Sequence, residues 1–242
     1  SLRRAASDVY KRQKHIAAQK LYLYLAALFI TSLVVSNLIF QKFFYWYPFD
    51  WVIMGNKLFE LSVGILPYPI TFLVTDLISE IFGRKAANRV VVAGIFASFF
   101  SMGILLLAGI VPALPNSPIG DATFKNVFAL SPIAVLASMM AYLFAQFIDI
   151  RIYHFWKNLT KGKHLWLRNN FSTFASQFID TFTVVGLLCI FGGLPWNAFL
   201  GLRISGIVFK ILVALIDTPL LYLSVNWIRS YFKLDINEEI QI

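Results

Sequence analysis

The sequence predicts an all-α integral membrane protein, a single bundle of six transmembrane helices whose second helix is interrupted by proline. Three observations predict it. Of 242 residues, 59% are hydrophobic and only 14% charged, against roughly 25% charged in soluble domains, and mean hydropathy is +0.72. The apolar residues fall into segments close to the ~20 needed to cross a hydrocarbon core. Lys and Arg gather in alternate links between those segments, as topology signals do.

Residues 1–13 (SLRRAASDVYKRQ) are polar and basic, unlike everything from Leu21 onward. The tract resembles a translated sequencing-adapter and is set apart as non-native; a native basic cytoplasmic tail is the alternative. It is not read as a signal peptide, because the apolar segment that follows has full spanning length and no small-residue cleavage site. Residues 1–19 are therefore taken as a basic, disordered or non-native tail, 20–231 as one six-helix membrane domain, and 232–242 as a short cytoplasmic tail.

The first span is predicted over 21–40, between Lys20 and Gln41. The second covers about 58–82 and holds Pro67 and Pro69 near its middle, where proline removes backbone donors and breaks the helical ladder. The third, 90–111, carries no charge. A Pro, Asn and Gly loop follows, and Ser131-Pro132 supplies an N-cap with Pro at the first helical position for a fourth span to about Trp156. The fifth runs over 171–191 and stops at Gly192-Gly193; the sixth covers 204–228. Freed carbonyls at membrane depth are tolerated only where they are buried in protein or line a cavity, so the interrupted second span points to a polar interior.

With the N-terminus inside, twelve Lys and Arg residues from Lys14 onward fall on the inner side and four on the outer, which places both termini in the cytoplasm. Trp46, Trp51, Trp156, Trp166, Trp196 and Trp227 all sit near predicted span ends, where an amphipathic ring favours the headgroup layer. The net charge of +9 does not indicate nucleic-acid binding, since the basic residues form short clusters and no single basic face.

The tetrapeptide Gln-Phe-Ile-Asp occurs twice, as Gln146 to Asp149 and Gln177 to Asp180, each time inside a spanning segment. An acid at the centre of a membrane helix costs about 2.5–3.5 kcal/mol on insertion scales and is a functional-site hypothesis by default. Asp149 lies eight residues before Lys157 and Asp180 ten after Asn170, about 12 and 15 Å from the loop ends at ~1.5 Å per residue. Two acids at one depth on antiparallel helices require a shared proton, a cation or a hydrogen-bonding ligand. The same residues also serve as interhelical glue in other membrane bundles, and both readings stand. The second span adds Asp76 and Glu80, four apart on one face, which either line the interior or pair with Arg84 and Lys85 at the inner interface. In the sixth, Lys210 and Asp217 share a face, and Asp217 precedes Thr218-Pro219, a predicted kink. Interrupted helices facing acidic ones form the general pattern of a transporter binding site.

The strings PYPITFLVTDLISEIFGRK (67–85), AYLFAQFIDIRIYHFWK (141–157), LWLRNNFSTFASQFIDT (165–181) and LIDTPLLYL (215–223) resemble the queuosine-precursor transporter family, also called the VUT family, over nearly all of the chain from Lys20 to about Tyr231. The resemblance implies a six-helix importer of the bacterial inner membrane for 7-deazaguanine bases that are later built into transfer RNA. It also implies a bundle similar to the vitamin-binding subunits of energy-coupling-factor transporters; a substrate-binding subunit that needs a separate energising partner is the alternative. Trp166, Arg168, Asn169 and Asn170 match the family's loop motif, with a gate or cap role as one reading and, for Trp166, interface anchoring as the other.

A guanine-type edge offers two adjacent N–H donors and a carbonyl acceptor, which a carboxylate and an amide complement. Gln146, Asp149, Gln177 and Asp180, with Asp76, Glu80 and Asp217, are accordingly the candidate substrate-binding residues. No enzyme, metal or cofactor is expected. Histidine occurs only at His15, His154 and His164 and cysteine only at Cys189, without metal-ligand spacing or a nucleophile-base motif, and no P-loop is present to drive ATP-powered import. The sequence does not name the coupling ion.

Overall fold

The computed structural model describes residues 2–39, 42–45, 52–53, 56–57, 60–128, 132–190 and 199–242. Among the described residues, seven α-helices follow in order: α1 (Leu2–Ile39), α2 (Tyr68–Ile81), α3 (Gly83–Ile110), α4 (Asp121–Phe128), α5 (Pro132–Leu159), α6 (Leu165–Ile190) and α7 (Phe199–Phe232). Between α1 and α2, strand β1 (Phe43–Tyr45) pairs antiparallel with β4 (Glu60–Ser62), and β2 (Val52–Ile53) with β3 (Asn56–Lys57). These strands are too short to leave a periodic sequence signal, and a 3₁₀ turn (Val63–Ile65) leads from them into α2.

Among the described residues, four helical segments are long and apolar enough to cross a membrane: Arg12–Ile39, Val63–Ile81, Gly83–Ile110 and Ile211–Phe232. At 28 and 26 residues, α5 and α6 also exceed the ~20 residues a span requires. The surface is that of a membrane protein, since Phe96, Phe100, Leu107 and Ile110 on α3 and Leu220 and Leu223 on α7 face outward. Polar side chains point in: Thr75, Asp76, Ser79, Glu80, Gln146, Asp149 and Ser176 are buried.

The second span is the hub. It packs against α1, α3, α5 and α7, and 61% of its spanning window is buried against 22% in each of the other three, so its polar residues have protein on every side. Its prolines act differently from the sequence expectation. Pro67 is the N-cap and Pro69 lies in the first turn of α2, where the missing N–H would have no helical partner in any case. The break therefore falls between the 3₁₀ turn and the start of the helix, and α2 itself is uninterrupted. Among the described residues, Pro219 of α7 is the proline in a helix interior.

Other boundaries also shift. The fifth span was predicted to begin at 171, yet α6 starts at Leu165, because Trp166, Arg168, Asn169 and Asn170 are helical. The predicted loop motif is thus the opening turn and a half of a helix. The tract 1–19, read from sequence as a disordered or non-native tail, is helical from Leu2; it is rich in Ala, Lys, Arg and Gln, which are good helix formers. The tail beyond α7 is docked: Ile240 N donates to Ile81 O at 2.8 Å, and Leu234, Ile240 and Ile242 pack on the core. Phe40, Gln41, Ser131, Phe191, Gly192-Gly193, the predicted second-span start at Leu58, and Trp46, Trp51 and Trp196 lie outside the described residues.

Candidate functional site: a polar seam through the bundle

Three helices contribute one polar stripe each. On α5 the stripe is Tyr142, Gln146, Asp149 and Tyr153, spaced by four, three and four residues, so all lie on one face. On α6 it is Asn169, Ser172, Thr173, Ser176, Gln177 and Asp180, and on α2 Tyr68, Thr71, Thr75, Asp76, Ser79 and Glu80. Helices α5 and α6 form the most extensive packed pair of the bundle, and α2 covers their shared seam.

At one end of the seam, the Tyr68 hydroxyl donates to Asp180 Oδ2 at 2.8 Å. The Tyr68 ring lies 5.2 Å from that of Phe72 and 5.9 Å from that of Tyr142, a cluster of edge-on and tilted rings of the kind aromatic quadrupoles favour. Gln146 Nε2 donates to Tyr142 OH at 2.9 Å, and Thr75 Oγ1 to Gln146 Oε1 at 3.4 Å. Beside this cluster opens a narrow cleft, about 20 Å³ in volume, lined by Ile65, Tyr68, Pro69, Phe72, Thr173, Gln177, Val213, Ala214 and Asp217. Gln177 is 4% exposed and its Oε1 accepts no hydrogen bond. A buried, unsatisfied amide oxygen costs roughly 1–3 kcal/mol, so its presence on a cleft wall marks a place for a donor.

In the middle of the seam, Asp149 Oδ1 accepts from Ser176 Oγ at 3.0 Å. The carboxyl group that Asp149 faces is that of Asp76, within hydrogen-bonding reach on α2. Asp180 lies four residues beyond Ser176, about 6 Å along α6. The two repeated motifs therefore share the seam, but their acids are offset by a turn, and Asp149 and Asp180 take different partners.

At the other end, Glu80 is fully buried and collects three cations. Arg168 Nη2 approaches Oε1 at 2.7 Å, Arg229 Nη2 the same oxygen at 2.5 Å, and Lys157 Nζ lies 3.9 Å from Oε2. Tyr153 OH donates to Oε2 at 2.9 Å. Lys157 also caps the last carbonyls of α2, Ser79 O and Glu80 O, and pairs with Glu239 of the tail at 2.7 Å. Arg168 further donates to Gly162 O and Lys163 O. Glu80 is consequently an interhelical tie across α2, α5, α6 and α7, with its oxygens already occupied by protein donors.

The remaining motif residues join α6 to α7. Nδ2 of Asn169 and of Asn170 donate to Thr218 Oγ1 at 3.2 and 3.0 Å, and Trp166 N donates to Tyr222 OH at 3.1 Å. The indole of Trp166 is half exposed. Asp217 lines the cleft, while the side chain of Lys210 lies outside the described residues. Sequence reasoning missed Tyr68, Tyr142, Tyr153, Thr173 and Ser176; the four-three-four spacing of polar groups on α5 was the available signal. Among the described residues, no three His, Cys, Asp or Glu side chains are placed to hold a metal ion.

A "Probable queuosine precursor transporter" of Bacillus subtilis (strain 168) is 32% identical over 180 residues, covering 71% of this chain and 75% of the relative. A "Queuosine precursor transporter" of Escherichia coli (strain K12) is 28% identical over 127 residues, 51% of this chain and 52% of the relative. No solved structure matches the chain. The profile of the family described as "Putative vitamin uptake transporter" matches residues 62–224, more than half of the chain and the whole polar seam, and the protein belongs to this family of multi-pass membrane transporters.

Proposed function

We propose that the chain imports a queuosine precursor, a 7-deazaguanine base, across the bacterial cytoplasmic membrane, with six spans and both termini in the cytoplasm. The observation that carries the reading is the cleft beside Gln177, where an aromatic wall, an unsatisfied amide oxygen and a carboxylate converge. Tyr68 and Phe72 offer ring faces for a flat heterocycle. Asp217 on one wall and Asp180 behind Tyr68 supply carboxylates for paired N–H donors, and Gln177 and Thr173 complete the polar set. Gln146 and Asp149 extend the polar set along α5, behind the cleft lining, through Thr75, Tyr142 and Ser176. The orientation is supported by the basic links: Arg84, Lys85, Lys157, Lys161, Lys163 and Arg229 gather at the Glu80 end, which is the cytoplasmic end under the positive-inside rule.

Purified protein titrated with cyano- and aminomethyl-deazaguanine and with guanine tests the ligand. The deazaguanines should bind more tightly than guanine, and Asp180→Asn should weaken them. Equal, weak binding of all three would sink this reading. Proteoliposomes containing only this chain then separate a self-sufficient importer, which accumulates the base, from a binding subunit that binds it but needs an energising partner to move it.

A further inference from the structure

Asp76 and Asp149 face one another across the α2–α5 contact, 1% and 0% exposed. Asp76 Oδ1 and Asp149 Oδ2 each lack any hydrogen-bond donor. Ionised carboxylates only accept, so two that face each other in a dry interior leave an electrostatic conflict that a single proton between them resolves. A metal ion is a poor alternative, because it needs more ligands than this pair, and no three-member ligand set exists among the described residues.

We propose that the Asp76–Asp149 pair is a proton-binding site, and that the proton it holds is the one coupled to substrate import. The proposal rests on the transporter reading. Binding forms one O–H bond on one carboxyl and one O–H···O bond to the other; release breaks both and leaves two anions. The groups acting on the pair are Asp217 from α7, Arg168 from α6, Tyr142 and Tyr153 from α5, and the Ser172 and Ser176 hydroxyls from α6. Two of these give the site a mechanical consequence. Asp217 lines the substrate cleft, so a cationic or donor-rich substrate there alters the field at Asp76. Arg168 is the 2.7 Å partner of Glu80, so the charge exposed on Asp76 by proton release competes with Glu80 for that guanidinium. Proton occupancy thereby links the cleft to the tie at the cytoplasmic end.

The test uses proteoliposomes with the membrane potential clamped to zero by valinomycin and equal potassium, and the neutral cyano-deazaguanine as probe. An acid exterior of one pH unit should drive accumulation of up to about tenfold for one proton per substrate, abolished by a protonophore. Asp76→Asn and Asp149→Asn should each reduce this to simple equilibration, while Asp121→Asn, at the exposed start of α4, keeps it. Uptake indifferent to the pH gradient, or driven instead by sodium, overturns the proposal. A second measurement needs neither transport nor a variant that folds well. Infrared difference spectroscopy of the wild-type protein should show a protonated-carboxyl C=O stretch that titrates with pH and shifts on substrate addition. Absence of that band, or a band insensitive to both pH and substrate, also overturns it. If the protein binds no deazaguanine at all, the substrate assignment fails on its own, and the infrared pH titration still decides whether the pair holds a proton.

Discussion

Glu80 on α2 and Arg168 on α6 meet at 2.7 Å, 88 residues apart in the chain, with both side chains buried. The pair anchors a cluster in which one carboxylate serves Arg168, Arg229 and Lys157 and receives the Tyr153 hydroxyl. Breaking a buried ion pair by removing one partner costs about 3–5 kcal/mol, because the remaining charges stay behind uncompensated. Glu80→Gln keeps the shape and removes the charge. It should therefore lower stability by about that amount, read as an earlier unfolding midpoint in detergent. A midpoint equal to the wild type would mean that the cluster is solvated in the membrane and does not hold the helices together.

The docked C-terminal tail rests on two glycines. Gly83 takes φ +81° at the first residue of α3, and a Cβ there would collide with the Glu239 carboxylate; Gly162 takes φ +75° after α5, and a Cβ there would meet Asn237 Cβ at 2.8 Å. At each position alanine is disfavoured by the left-handed backbone conformation, and at Gly162 also by the Asn237 Cβ; at Gly83 the Glu239 carboxylate would have to move aside. Gly83→Ala should lower stability by more than about 1 kcal/mol and loosen the tail. Limited proteolysis of inside-out vesicles should then release the residues after Lys233 faster than in the wild type. Unchanged cleavage would show that the tail's contact with Gly83 contributes nothing to its docking.

Tyr68 and Asp180 supply a test of the cleft. Hydrogen bonds to a charged acceptor contribute about 1.5–3 kcal/mol, and Tyr68 OH holds Asp180 Oδ2 at 2.8 Å. If Tyr68 aims Asp180 at the base, Tyr68→Phe should weaken deazaguanine binding by about tenfold or more. Combining it with Asp180→Asn should then add little. Fully additive losses in the two-mutant cycle would show that the residues act on the ligand separately.

How far the sequence reveals this site depends on which interactions are local. Apolar runs are local, so the helices α3, α5, α6 and α7 were legible to within several residues at their ends, and the acids stood out because each interrupts such a run. Pairing between helices is not local. Asp149 and Asp180 look matched when depth is counted from the link between their helices, but α6 begins six residues before the predicted start, and Asp149 comes to lie against Ser176. Its acidic partner, Asp76, comes from α2, whose contacts depend on the whole bundle. Tyr68, Tyr142 and Tyr153 were hidden because a tyrosine in an apolar run reads as packing until its hydroxyl is seen to bond Asp180, Gln146 or Glu80. Glu80 was visible as an acid, yet Arg229, one of its cations, is 149 residues away.

The contact between α6 and α7 makes the last prediction. Asn169 and Asn170 both donate to Thr218 Oγ1, which itself donates to Ala214 O at 2.9 Å. The next residue is Pro219, whose ring removes the backbone donor to the carbonyl four residues earlier and weakens α7 at that turn. Two amides from α6 thus grip α7 beside its softest point, and Asp217 of the cleft wall is the residue just before the gripped Thr218. Helices that move during transport bend where backbone bonds are missing, so the grip should set how readily the cleft wall shifts. Thr218→Val keeps the side-chain volume and removes the shared acceptor, leaving two amide groups short of a partner at about 1–3 kcal/mol. The expected result is a change in transport rate of about tenfold with deazaguanine affinity within about threefold of the wild type, because none of the three residues lines the cleft. Initial uptake rates in proteoliposomes alongside equilibrium titration measure both quantities. Parallel losses in rate and affinity would instead make the clamp part of the binding site's architecture, and an unchanged rate would place the moving element elsewhere than Pro219.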